Sequence, residues 1–137
     1  MESNCVNSCL PGIKGKILVM DDNQSLNRVM KRILTSVGYE VEFAGTGEQA
    51  IDLYKKAGKA LKPFDAVIMD LSIPGGLGGE QAVGMLLEID PAAKVIAASG
   101  NSNNPVMSEF AKYGFRAAVT KPFAINEISE LLQSLIK

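Results

Sequence analysis

Histidine is absent from the 137-residue chain. That removes serine triads, most nucleophile and base pairs, and any phosphohistidine formed within the chain itself. Cysteine is scarce, with Cys5 and Cys9 both in a Ser/Asn-containing leader that ends at Leu10-Pro11-Gly12. Without histidine or further cysteine the common zinc patterns cannot be completed, so the two are read as spare thiols. No charge of one sign dominates: 14 Lys and Arg face 15 Asp and Glu. This balance offers no polyanion-binding surface and excludes nucleic acid as a direct partner. Long apolar runs are missing too, the longest covering positions such as 66–69 and 95–98. These are far too short to span a bilayer, and no basic, apolar and small-residue succession marks a secretory leader. The expectation is a cytoplasmic protein with no direct membrane contact. At this length one domain can bury its own core without disulfides or a structural metal.

What is present is a repeating alternation. Residues 16–20, Lys-Ile-Leu-Val-Met, form a short apolar run that ends in two acids and reads as a buried strand. Leu26, Val29, Met30, Ile33, Leu34 and Val37 then recur at helical spacing, with Gly38 as the stop. Residues 39–44 alternate as a second strand, and Thr46 can cap a helix carrying Ala50, Leu53, Tyr54 and Ala57 on one face. A third strand over 64–69 runs into Asp70, followed by a glycine-rich loop, and helix resumes over 80–89. Residues 94–98 make a fourth strand closing at Ser99-Gly100. Pro105 opens a short helix toward Gly114, and residues 117–120 make the fifth strand. Ile125, Ile128, Leu131, Leu132 and Leu135 give the last helix its apolar face, and the expectation is that no DNA-binding element follows it.

Five strand and helix pairs imply right-handed crossovers and a doubly wound α/β domain, its parallel sheet covered on both faces. Function in such sheets gathers beyond the carboxyl ends of the strands. The residues expected there are Asp21 and Asp22 after the first strand, Asp70 after the third, Ser99 after the fourth and Lys121 after the fifth. Three carboxylates in one crevice repel unless a cation compensates them, and a hard divalent ion such as Mg2+ suits carboxylate oxygens. A carboxylate can also attack phosphorus and form an acyl phosphate. Lys121 would add a positive charge, and the Ser99 hydroxyl a donor to a phosphoryl oxygen. Each residue alone has a plainer reading as a cap, a turn or a solvated lysine. Their convergence on one sheet edge favours a phosphoryl site.

From residue 14 to the C-terminus the chain resembles the receiver domain of two-component response regulators, with residues 1–13 expected as a flexible leader. The resemblance rests on Ile17-Leu18-Val19-Met20-Asp21-Asp22, on Asp70 with Pro74 beyond it, on Ala98-Ser99-Gly100 and on Lys121-Pro122-Phe123. It implies a flavodoxin-like fold with strand order 2-1-3-4-5. It also implies Mg2+ held by Asp21, Asp22, Asp70 and the Ser72 carbonyl, with Asp70 as phosphoacceptor and Ser99 and Lys121 contacting the phosphoryl group. The implied partner is a sensor histidine kinase or a histidine phosphotransfer domain.

Two positions depart from the family pattern. The loop Ile73-Pro74-Gly75-Gly76-Leu77-Gly78-Gly79 is one residue longer than usual and resembles receivers fused to hybrid sensor histidine kinases. Ala118 stands where the family usually carries an aromatic switch, three positions before the lysine. Any switch is therefore expected to centre on Ser99 and the 101–104 loop, with Phe115 serving as packing. The alternatives are a receiver that no longer phosphorylates and acts as a scaffold, a haloacid-dehalogenase-like phosphatase and a flavodoxin-like FMN binder. The phosphatase would need an acid where Ser72 stands, and three acids at the ligand edge oppose FMN.

Overall fold

The structure, a computed structural model, describes residues 15–60, 63–71, 79–100, 105–121 and 125–136. The leader with Cys5 and Cys9, Ser72 with its glycine-rich loop, the 101–104 loop, Pro122 and Phe123 lie outside the described residues. Elements alternate as β1 (Gly15–Met20), α1 (Gln24–Ser36), β2 (Tyr39–Ala44), α2 (Gly47–Lys59), β3 (Ala66–Asp70) and α3 (Gly79–Ile89). They continue as β4 (Val95–Ser99), α4 (Pro105–Ser108), a 3-10 turn (Phe110–Tyr113), β5 (Ala117–Thr120) and α5 (Ile125–Ile136). All strand pairs are parallel and the sheet order is β2-β1-β3-β4-β5, the order implied by the sequence resemblance.

The central strands β3 and β4 are apolar up to their last residue because both faces of the sheet are covered. Successive side chains point to opposite faces, which divides each strand between two cores. Leu18, Met20, Val67, Met69, Val95 and Ala97 enter one core, with Tyr54 of α2, Leu86 of α3 and Phe115. Ile17, Val19, Ile68, Ile96 and Ala98 enter the other, with Met30 and Leu34 of α1 and Ile128 and Leu132 of α5. Each fully buried Leu or Ile contributes about 1.5–3 kcal/mol relative to exposure.

Local signals set the boundaries. The Thr46 side chain accepts from the Gln49 N–H at 3.2 Å, as its capping position requires. Asn23 does the same for α1, accepting from the Leu26 N–H at 3.1 Å. Gly38 and Gly114 take positive φ, 102° and 98°, which glycine adopts without a Cβ penalty.

Three expectations need correction. Val29, placed on the apolar stripe of α1, is 51% exposed, since the stripe narrows to Met30 and Leu34 with Leu26, Ile33 and Val37 partly covered. The helix read from Pro105 toward Gly114 is two pieces, broken at Glu109, with the second wound as 3-10. Tight i to i+3 bonds such as Lys112 N–H to the Glu109 carbonyl at 3.0 Å close this segment before Phe115 enters the core. The third strand begins two residues later than expected, at Ala66. Phe64 lies ahead of it, stacked on Tyr54 with ring centroids 6.1 Å apart.

Candidate functional site

The carboxyl ends of β1, β3, β4 and β5 meet along one edge, where the expected residues gather. Asp70 and Ser99 are the last residues of their strands rather than the first residues beyond them. Asp70 is in register with Ala98, and Ser99 with Thr120, so the ladder extends through both. That holds their backbones rigidly. Both are buried, Ser99 completely.

Asp21 is held by four hydrogen bonds. Its N–H donates to the Ala44 carbonyl at 2.9 Å, carrying the β1–β2 pairing one residue past the strand. Its Oδ1 accepts from the Asn23 N–H at 2.9 Å and its Oδ2 from Lys121 Nζ at 2.6 Å. The Asn27 side-chain amide donates to the Asp21 carbonyl at 2.8 Å from the first turn of α1. Asp22, the next residue, is exposed. The carboxylates of Asp21, Asp22 and Asp70 each offer an oxygen within 4.8 Å of the others, a group able to hold a metal ion.

Lys121 enters this crevice from the end of β5. Its N–H donates to the Ser99 carbonyl at 2.8 Å, anchoring the lysine backbone to β4. Its ammonium lies 2.6 Å from Asp21 Oδ2 and 3.3 Å from Asp70 Oδ2, bridging two buried carboxylates. Three carboxylates against this one ammonium leave a formal charge of −2, so the donor set still favours a hard divalent cation. All oxygens and no nitrogen or sulfur in that set fit Mg2+.

The structure thus joins Asp21, Asp22, Asp70 and Lys121 through side chains, and Ser99 to Lys121 through the backbone. Ser72, expected to supply a carbonyl ligand, lies outside the described residues. Sequence reasoning missed Asn23 and Asn27. Asn23 carried a readable signal, an asparagine just before the apolar periodicity of α1. Asn27 carried none, because its role depends on a contact across the first turn of the helix. Ala118 is partly buried on β5, and Phe115 packs in the core as expected.

Comparison with known proteins agrees with this geometry. The chain is 33% identical over 123 residues to the chemotaxis protein CheY of Thermotoga maritima, covering 89% of this chain and 98% of that one. It is 32% identical to CheY of Treponema pallidum, covering 92% and 85%. Among solved structures, the receiver domain of a sensor histidine kinase from Pseudomonas aeruginosa PAO1 superposes with a TM-score of 0.78 at 26% identity, covering 89% and 97%. That structure holds a magnesium ion coordinated in its active site cleft. A response regulator from Thermotoga maritima in complex with Mg2+ and BeF superposes with a TM-score of 0.76 at 27% identity, covering 88% and 98%. Residues 17–133 match the response regulator receiver domain model, and the chain belongs to that family.

Proposed function

We propose that this chain is a Mg2+-dependent phosphoacceptor of a two-component phosphorelay, with Asp70 as the acceptor. The observation that carries the reading is the Lys121 ammonium bridging Asp21 and Asp70 inside a crevice of three carboxylates. A buried nucleophilic carboxylate beside a fixed cation and a metal-competent acid group is what phosphoryl transfer to an aspartate requires.

Asp21, Asp22 and Asp70 would hold the metal, with the Ser72 carbonyl as a further ligand by family resemblance. Bound there, Mg2+ would neutralise charge on the phosphoryl oxygens. An Asp70 oxygen attacks phosphorus. The oxygen–phosphorus bond forms as the nitrogen–phosphorus bond of a donor phosphohistidine breaks, and the imidazole leaves with the electron pair. Lys121 then faces the new negative charge, and the Ser99 hydroxyl donates to a phosphoryl oxygen. Because the chain has no histidine, the donor is a partner, a sensor histidine kinase or a histidine phosphotransfer domain.

The module is an acceptor rather than a classical enzyme, and its setting is the cytoplasm. In support, no helix among the described residues is long and apolar enough to cross a membrane. A place within a hybrid kinase is a second reading, favoured by the long glycine-rich loop and by 27% identity to a hybrid signal transduction histidine kinase of Dictyostelium discoideum, of which this chain covers 7%.

Incubation with acetyl phosphate and Mg2+ should add one base-labile phosphoryl group, and Asp70→Asn should block it. A modification that persists in Asp70→Asn overturns the reading, and a wild type that takes up none under any donor leaves the scaffold role in its place.

A further inference from the structure

Two asparagines close a ring of hydrogen bonds around the junction of β1 and α1. The Asn23 N–H donates to Asp21 Oδ1 at 2.9 Å, the Asn27 N–H to the Asn23 carbonyl at 3.0 Å, and Asn27 Nδ2 to the Asp21 carbonyl at 2.8 Å. Asp22 lies within the stretch of chain that this ring encloses. Its carboxylate belongs to the metal-competent group, yet it is exposed and its side chain makes no hydrogen bond or ion pair among the described residues. Its placement therefore rests on the backbone. The Asp21 carbonyl and the Asp22 nitrogen share one planar peptide, so a bond that fixes the carbonyl also fixes the direction in which Asp22 leaves it.

The other end of the Asn27 amide gains nothing. Its Oδ1 is buried and has no hydrogen-bond partner among the described residues. A buried acceptor without a donor destabilises a fold. Turning the amide over brings no relief, because Oδ1 would then face the Asp21 carbonyl, acceptor against acceptor. One acceptor is satisfied while another goes without, so the amide adds little net stability. What it supplies is the orientation of the Asp21 carbonyl.

We infer, on the Mg2+ reading of the acid group, that Asn27 is a positioning residue that raises affinity for Mg2+ relative to Ca2+ by fixing the peptide between Asp21 and Asp22. Mg2+ demands near-octahedral geometry from its oxygens, whereas Ca2+ accepts more ligands in looser arrangements. A loosened Asp22 should weaken Mg2+ more than Ca2+. A general loss of fold would weaken both alike.

The test titrates the full chain with MgCl2 and separately with CaCl2, followed by amide shifts, in wild type, Asn27→Leu and Asn27→Ala. Leucine keeps the bulk of asparagine without its amide. Mg2+ should bind about tenfold more weakly to both variants, the loss expected when a partner behind a metal ligand is removed. Ca2+ should weaken by no more than about twofold. In chelator, Asn27→Leu should unfold near the wild-type urea midpoint, since it trades one unsatisfied acceptor for another. Should leucine not fold, the ratio of the two ions in Asn27→Ala decides alone. Unchanged Mg2+ affinity in the variants, or equal weakening of both ions, overturns the inference and leaves Asp70 as acceptor. A wild type that binds neither ion overturns the metal assignment itself, and the role of Asn27 with it.

Discussion

Replacing Lys121 with methionine removes the one ammonium that bridges the site while keeping a side chain of similar length. In the structure that ammonium serves Asp21 at 2.6 Å and Asp70 at 3.3 Å, and the lysine side chain is 20% exposed. Breaking a fully buried pair costs about 3–5 kcal/mol, because the remaining charge is left uncompensated. Here partial exposure admits solvent, and the Asn23 N–H still holds Asp21 Oδ1 at 2.9 Å. The expected loss in metal-free buffer is therefore smaller, about 2–3 kcal/mol. Metal binding should respond in the opposite direction. A lysine beside a divalent cation opposes it by about 1–2 kcal/mol even when well solvated, so Lys121→Met should bind Mg2+ about tenfold more tightly. At a concentration near 100 times the variant's dissociation constant, the ion stabilises the variant by about 2.7 kcal/mol and the wild type, at 10 times its own, by about 1.4 kcal/mol, so the gap between them should narrow by about 1.3 kcal/mol. Urea unfolding of wild type and variant, with chelator and with saturating Mg2+, reads both effects. Equal midpoints in chelator, or unchanged Mg2+ affinity, would refute the bridging role of Lys121.

Gly114→Ala should destabilise the fold by about 1–3 kcal/mol in thermal unfolding, because φ is 98° and a Cβ there would collide with the Leu87 side chain. The Tyr54 hydroxyl donates to Asp90 at 2.6 Å, and burial first, then that bond, raises its pKa above the usual 10.0. Its share of stability is complete below about pH 10 and is lost as pH rises further, so the gap between wild type and Tyr54→Phe in urea should shrink above about pH 10. Phe115→Leu should lower the melting temperature through lost packing yet keep the beryllofluoride-induced amide shifts around Ser99, since Phe115 is a core side chain; loss of those shifts would make it a switch.

The parts of the fold written in local pattern were legible. The bounds 39–44 and 117–120 read from alternation and apolar runs are those observed for β2 and β5, and Thr46 caps α2 as its position implied. Strand ends were less legible, because Asp70 and Ser99 are polar yet stay in the ladder through pairing with β4 and β5. Pattern reads them as loop, whereas register keeps them in the sheet. The break at Glu109 was also hidden. Val106, Phe110 and Ala111 keep helical spacing, and the break rests on backbone geometry, with Glu109 at φ −120° and ψ 36°. In the site, complementary residue types at strand ends were enough to assemble Asp21, Asp22, Asp70 and Lys121. The bridging of two carboxylates by Lys121 and the hold of Asn27 on the Asp21 carbonyl are contacts between distant elements or across helix turns, which spacing alone does not encode.

The central claim is that the Asp70 carboxylate carries the phosphoryl group. Phosphorylated protein reduced with borohydride converts an aspartyl phosphate to homoserine, which peptide mass mapping locates by residue. Homoserine should form at position 70 alone, and only when Mg2+ and donor are both present. Conversion at Asp21 or Asp22, or a borohydride-resistant phosphate on Ser99, would contradict it.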